Sequence, residues 1–158
     1  MSRFTRALCV LVALLVASAA VAVTAGATSA SKGKSTSGVV YAALVHTAGK
    51  TEYAAGLVND KVLGKGAVEF ALNVGEGSKP GSLEGKGSVT VFTATGQLSG
   101  TDSVTITTTS TGVTFTNGKL DLTKGQGLQK GHSFVGTFTG TAKSIAGPYT
   151  FNDKGRYK

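Results

Sequence analysis

Apolar and polar residues alternate along most of this chain, and the clearest stretch is Gly131–Thr141. One side of the alternation carries two phenylalanines separated by glycines, and its members are His132, Phe134, Gly136, Phe138 and Gly140. The other side is mostly serine and threonine. A period of two is typical of an antiparallel strand with one face in a core and the other in water. We therefore predict a half-buried strand with Phe134 and Phe138 turned inward.

Similar segments precede and follow this strand, separated by turn residues. The other predicted strands are Val39–Thr47, Thr51–Val58, Val62–Val74, Ser88–Thr95, Gln97–Ser110, Val113–Thr123, and Tyr149–Phe151 with Tyr157. Gly75–Gly87 is expected to be the longest irregular connection, and Lys124–Lys130 is expected to be a loop. Asn117-Gly118 predicts a bulge or a tight turn, since both residues tolerate positive φ. No apolar stripe with a helical period follows Val23.

About eight short strands in series predict an all-β fold, a small antiparallel meander closed into a β-barrel. A β-sandwich is the alternative. Glycines recur inside the predicted strands, where strongly coiled strands bend and facing side chains need room. We favour the barrel because a long open sheet would leave exposed edges.

The N-terminus has the pattern of a secretory signal peptide. Two arginines precede the apolar run Ala7–Val23, and small residues follow it. We predict a signal peptide over residues 1–27, a flexible leader over 28–37 and a single barrel domain over 38–158. The alternative is a retained single-span anchor. After cleavage no transmembrane segment is expected, and the protein would be secreted or otherwise extracytoplasmic.

Cysteine content and charge exclude several functions. Cys9 is the only cysteine and lies in the apolar run, so the predicted barrel has neither a disulfide nor a thiol nucleophile. The chain has 16 Lys+Arg and 8 Asp+Glu. The lysines are scattered through turns without interleaved aromatics, which argues against specific nucleic-acid binding. An anionic cell-envelope surface is one expected partner.

The runs Gly136-Thr137-Phe138-Thr139-Gly140-Thr141 and Gly96–Thr101 resemble the strands of allene oxide cyclase and dirigent-type β-barrels. The resemblance implies an eight-stranded antiparallel barrel. The acidic and aromatic residues of a cyclase or coupling site are not found in this sequence. No site residue is therefore carried over.

Candidate chemistry is sparse. His46 and His132 both fall at predicted strand ends and are expected to share one rim of the barrel. With a carboxylate such as Glu52, Glu69, Asp102 or Asp121 they would suit proton transfer. Their spacing does not favour a metal site, and no nucleophile elbow or phosphate loop occurs. We predict no catalytic residue, no metal and no cofactor.

The sequence favours a secreted, non-enzymatic barrel that acts as a binding or surface-interaction module, with a small apolar ligand as one expected partner. The candidate ligand site is the barrel interior or mouth, formed by Tyr41, His46, Phe70, Phe92, Phe115, His132, Phe134 and Phe138. One alternative is a small barrel lyase, isomerase or cyclase that uses a rim histidine and a carboxylate. A structural envelope protein is another. The oligomeric state is left open.

Overall fold

A computed structural model describes residues 33–158. The predicted signal peptide and the leader up to Lys32 lie outside the described residues. The described elements are all strands: β1 Lys34–Ala48, β2 Thr51–Asp60, β3 Gly64–Glu76, β4 Ser82–Thr93, β5 Gly96–Thr109, β6 Gly112–Gly127, β7 Phe134–Ala142 and β8 Tyr149–Tyr157. No helix in this part of the chain has the length and apolar character needed to cross a membrane.

The eight strands form a closed antiparallel barrel in simple sequence order, as predicted, and not a sandwich. Each strand pairs with the next along the chain. The last strand returns to the first, so that Lys34 faces Tyr157 and Ala42 faces Tyr149 across the closing seam. Closure leaves no strand edge unpaired within the barrel.

The barrel has two distinct ends. The upper end carries the connections β1–β2, β3–β4, β5–β6 and β7–β8, and the lower end carries the three remaining connections together with Gly33 and Lys158. Odd-numbered strands run from the lower end to the upper end. This direction decides which predicted site residues meet.

Several predicted boundaries differ from the structure. The loop expected over Lys124–Lys130 begins only after Gly127, because β6 pairs with β5 up to that residue. β1 begins at Lys34, whereas the leader was expected to extend to Ser37; residues 34–37 pair with β8. The connection expected over Gly75–Gly87 is confined to residues 77–81, because Gly85 and Gly87 pair with Val74 and Leu72 of β3. Glycine inside these strands leaves space in the barrel and does not interrupt pairing.

The interior is filled by inward-facing apolar side chains. Phe134 and Phe138 are both buried, as the alternation of β7 predicts. Aromatic rings lie directly over inward-facing glycines of neighbouring strands: a Cβ at Gly140 would lie 2.3 Å from Cδ1 of Phe151, and one at Gly118 would lie 2.6 Å from Cγ of Phe138. Glycine at these positions therefore makes room for the rings.

Bulges interrupt the alternation in β6 and β1. The predicted bulge at Asn117-Gly118 is confirmed, since the pairing with β7 shifts between Phe115 and Gly118 and Asn117 has φ 54°. A second shift lies between Leu44 and His46 where β1 pairs with β2. Each bulge changes which later side chains face inward.

Candidate functional site

The upper half of the barrel is built around a cluster of aromatic rings. Phe151 of β8 lies at its centre, 5.0 Å from the ring centroid of Phe115 and 5.5 Å from that of Phe138, both in edge-to-face geometry. Tyr149 packs against Phe115 in the same way at 5.4 Å. Phe70 approaches from β3, 6.1 Å from Phe151. These contacts stabilise the barrel and form an apolar wall.

Two small cavities remain inside the barrel. The upper cavity has a volume of about 30 Å³ and lies against the aromatic cluster, with Leu44, Leu72 and Ile106 around it. The lower cavity has a similar volume of about 30 Å³ and is lined by residues that include Val58, Leu122 and Phe134. Each has room for one or two water molecules. No lysine, arginine or histidine lines either cavity in residues 33–158.

Asp102 is the residue of interest in the upper cavity. It lies on the inward face of β5 between Gly100 and Val104, and its side chain is 5% exposed. Neither carboxyl oxygen has a hydrogen-bond partner among the protein atoms. Burial raises the pKa of Asp102 to about 6, although the residue's own backbone amide opposes the shift. A carboxyl group is thus held in an apolar pocket without a cation.

Glu52 and Tyr149 are the other polar side chains of the upper cavity. Burial raises the pKa of Glu52, and burial followed by the charge of Glu52 raises that of Tyr149. The Tyr149 hydroxyl donates a hydrogen bond to the backbone carbonyl of Ile145. Ile145 belongs to the β7–β8 connection and lines the cavity. This connection therefore contributes to the lining of the upper cavity through Ile145.

Two carboxylates, Asp60 and Asp153, line the lower cavity. The hydrogen bonds of Asp60 account for its burial. Asp60 accepts hydrogen bonds of 2.7 Å from the Thr36 hydroxyl and from the backbone amides of Val62 and Leu63, so it caps the β2–β3 turn. Asp153 is buried nearby with one oxygen unpartnered. Burial, and then the charge of Asp60, raise the pKa of Asp153 to about 6.

The predicted interior aromatics divide into two groups. Phe70, Phe115 and Phe138 line the upper cavity, while Phe134 lines the lower one, which Phe70 also reaches. Tyr41 and Phe92 lie on the outer wall, 58% and 36% exposed, so their expected place in the interior is wrong. Val40 and Val91 take the inward positions beside them, and a strand turns adjacent side chains to opposite faces.

The two histidines do not share a rim. His46 lies near the upper end of β1, and His132 precedes β7 at the lower end, because both strands run in the same direction. The β1 bulge also turns His46 outward, where its ring stacks on Tyr53 at 4.3 Å. His132 stacks on Tyr157 at 5.0 Å, and its Nδ1 lies 3.0 Å from the carbonyl of Lys158. Neither histidine lines a cavity.

The alternation of apolar residues in β5 indicates that Asp102 faces the barrel interior. Asp102 has the parity of Leu98, Val104 and Ile106, which are all buried. A single acidic residue on an otherwise apolar face predicts a buried carboxyl group. The prediction from the sequence gave Asp102 only the role of a carboxylate that acts with a rim histidine.

Residues 33–158 contain no cluster of three or more His, Cys, Asp or Glu side chains arranged to hold a metal ion. No protein-family model, curated protein or solved structure matches the chain. The resemblance to allene oxide cyclase and dirigent-type barrels therefore stays a prediction. Functional inference depends on the geometry of the barrel itself.

Proposed function

We propose that this protein is a binding module whose upper cavity takes a small, largely apolar molecule with one hydrogen-bond donor. The observation that carries the proposal is the Asp102 carboxyl group, buried among apolar side chains with both oxygens unpartnered. A neutral or cationic donor on a ligand would satisfy this group. The aromatic cluster would contact the apolar remainder.

The Asp102 carboxyl group, buried without a hydrogen-bond partner, destabilises the barrel when no ligand is bound. Leaving a buried polar group without a partner costs about 1–3 kcal/mol, and more when the group is charged. A ligand donor that meets Asp102 recovers this free energy and adds apolar burial. Because no cationic side chain lines the cavity, an amine or a hydroxyl group fits it better than a carboxylate.

Ligand entry requires movement of the β7–β8 connection. The closed cavity of about 30 Å³ is too small for an organic molecule of several carbons. Ile145 is 42% exposed, and the connection is held over the cavity by its hydrogen bond from Tyr149. Displacing Ile145 would join the cavity to solvent at the upper end of the barrel.

The proposal is tested with benzylamine, benzyl alcohol and toluene as probes. We expect the first two to raise the melting temperature of the purified protein more than toluene does, because only they offer a donor to Asp102. In Asp102→Val this preference should disappear. Native mass spectrometry of the unwashed protein would show whether a ligand is already bound.

Glu69→Val provides the matched control. Glu69 is an exposed acid on the outer wall of β3, so its replacement should leave the preference for donors unchanged. Equal shifts for all three probes, or an unchanged preference in Asp102→Val, would contradict the proposal.

A second candidate function is acid–base catalysis, and the pKa of about 6 for Asp102 favours it. A carboxyl group that titrates near neutral pH inside an apolar cavity is suited to donate or accept a proton. Glu52 and Tyr149, which line the same cavity, would assist it, whereas neither histidine lines that cavity. A lyase or isomerase activity would be lost in both Asp102→Val and Asp102→Asn. Pure binding of benzyl alcohol would persist in part in Asp102→Asn, whose amide oxygen accepts a hydrogen bond.

We also propose that the barrel works outside the cytoplasm, on the strength of the signal-peptide pattern in residues 1–27. N-terminal sequencing of protein recovered from the medium tests this. A start near Thr28 is expected, and recovery of an intact Met1 from the cell interior alone would contradict it.

A further inference from the structure

A row of lysines and hydroxyl side chains crosses the outer wall of the barrel. Consecutive strand partners from β4 to β8 form it, and the order is Lys86, Ser103, Lys119, Thr137 and Lys154. Lysines thus alternate with hydroxyl residues across five adjacent strands. Neighbouring strands are about 4.8 Å apart, so successive lysines stand roughly 10 Å from each other at the backbone.

Two depressions in the wall coincide with this row. One has a volume of about 510 Å³ and contains Thr137 with Lys119 and Lys154. The other has a volume of about 430 Å³ and contains Ser103 with Lys86 and Lys119. Lys119 belongs to both. The wall therefore presents two neighbouring sites of the same design, each with a hydroxyl residue between two lysines.

The charge of this wall is available to a ligand. The only ion pair within residues 33–158 joins Lys86 to Glu84 at 3.3 Å, so Lys119 and Lys154 form none there. Asp153 and Asp102 are among the residues that line the first and the second depression, but both are buried and neither forms an ion pair with a lysine in residues 33–158. Asp121 lines the second depression and offers an acceptor for a neutral donor.

We propose that this row binds a linear acidic polysaccharide that runs across β4–β8. The lysines would contact its carboxylates, while Ser103, Thr137 and Asn152 would hydrogen-bond to sugar hydroxyls. The spacing between lysines is comparable to the length of a disaccharide unit. This site lies on the outer wall, and it shares with the proposed interior site only Asp102, which lines both the second depression and the upper cavity.

Nucleic acid is a poorer fit to the same row. Single-stranded nucleic acids bind to basic grooves with aromatic side chains on which the bases stack. The row and the outward side chains of its depressions contain no aromatic residue, since the ring of Phe138 points into the barrel. Hydroxyl and amide groups between the lysines suit a ligand that is rich in hydroxyls.

The test measures binding of sodium polygalacturonate to the purified protein by isothermal titration calorimetry at low and high salt. We expect Lys119→Gln, which changes both depressions, to weaken binding by about tenfold, the effect of one charged hydrogen bond. Lys154→Gln should weaken it less, because that residue serves one depression. Lys65→Gln on the outer wall of β3 is the control for net charge, and its effect should stay within about twofold.

Polyphosphate and neutral dextran serve as control polymers. They distinguish specific recognition of an acidic polysaccharide from general attraction between opposite charges. Thr137→Val should weaken binding of polygalacturonate and leave binding of polyphosphate unchanged, since only the sugar polymer uses the hydroxyl group. The proposal is overturned if Lys65→Gln weakens binding as much as Lys119→Gln, if polyphosphate binds as tightly as polygalacturonate, or if no binding occurs at low salt.

Discussion

Asp102 is a buried acidic residue among apolar side chains. Its neighbours on the inward face of β5 are apolar, and its carboxyl group has neither a cation nor a hydrogen-bond donor from a side chain. Isolated buried charges are costly, so such groups hold their proton to a higher pH than usual. The ordinary pKa of 3.8 becomes about 6, and the fold carries a destabilising group near neutral pH.

This shift predicts that the barrel loses stability as pH rises. Below pH 4 the Asp102 carboxyl is protonated in both the folded and the unfolded chain. Between pH 4 and 6 the folded chain keeps the proton that the unfolded chain releases, so the free energy of unfolding falls. Asp153, whose pKa is also about 6, acts in the same direction.

Replacing Asp102 by valine should remove its share of the pH dependence. We expect the fall in the free energy of unfolding between pH 4.5 and 7.5 to be about 2 kcal/mol smaller in Asp102→Val than in the natural sequence. Urea unfolding at both pH values measures the change. Glu69→Val is the control and should leave the slope near that of the natural sequence. Identical slopes for Asp102→Val and the natural protein would show that Asp102 is not the titrating group.

At the scale of the element, bulges decide which face of a strand is inside. In β6 the pairing shift places both Phe115 and Gly118 inward. Two residues lie between them, so regular alternation would put them on opposite faces of the strand. If the same residues continued in regular alternation from Phe115 without the bulge, Leu120 and Leu122 would face solvent and Lys119 would face the core. The bulge at Asn117 therefore keeps the core apolar and places Lys119 in the outer row.

Asn117 is suited to the bulge because its backbone has φ 54°. Asn117→Val should destabilise the barrel by about 1–2 kcal/mol, since a β-branched residue is strained in the left-handed region. Asn117→Gly should be neutral or slightly stabilising. Thr116→Val is the neighbouring exposed control, and chemical denaturation measures all three variants. A valine at position 117 that is tolerated as well as glycine would contradict the assigned backbone conformation.

Local sequence patterns predicted the strands and the barrel, but they did not predict that Asp102, Glu52 and Tyr149 line one cavity. Alternation and turn residues predicted Phe134, Phe138 and the Asn117-Gly118 bulge, because these depend on near neighbours in the chain. His46 was predicted at the barrel rim because it falls at a strand end, but a bulge that no glycine marks turned it outward. The relation between Asp102, Glu52 and Tyr149 depends on the pairing of distant strands, and one sequence alone does not fix it.

At the scale of the whole molecule, the seam between β1 and β8 joins the two ends of the described chain. Gly33 lies against Lys158, close enough that a Cβ on Gly33 would be 2.7 Å from Cγ of Lys158. Ser133 and Lys158 exchange backbone hydrogen bonds of 2.9 and 3.0 Å at the same end. The closing strand is therefore held on both sides.

Because Gly33 and Lys158 lie close together, we expect a circular permutant of this chain to fold. Joining Lys158 to Gly33 through a short glycine linker and opening the chain at Ser78–Lys79 should preserve the barrel, with stability within about 1–2 kcal/mol of the original order. Circular dichroism and urea unfolding measure the result. A chain truncated after Pro148 is the contrasting variant, because it lacks β8 and exposes the edges of β1 and β7. A truncated chain that folded as well as the permutant would contradict the importance of the seam.

The seam also sets the order of events during biosynthesis. β8 is the last of the described strands to be synthesised, and until it leaves the ribosome β1 has only one of its two neighbours. The barrel core lacks Tyr149 and Phe151 until the same moment. A nascent chain therefore stays open until β8 has been made, and an open chain is what the export proposed above would require.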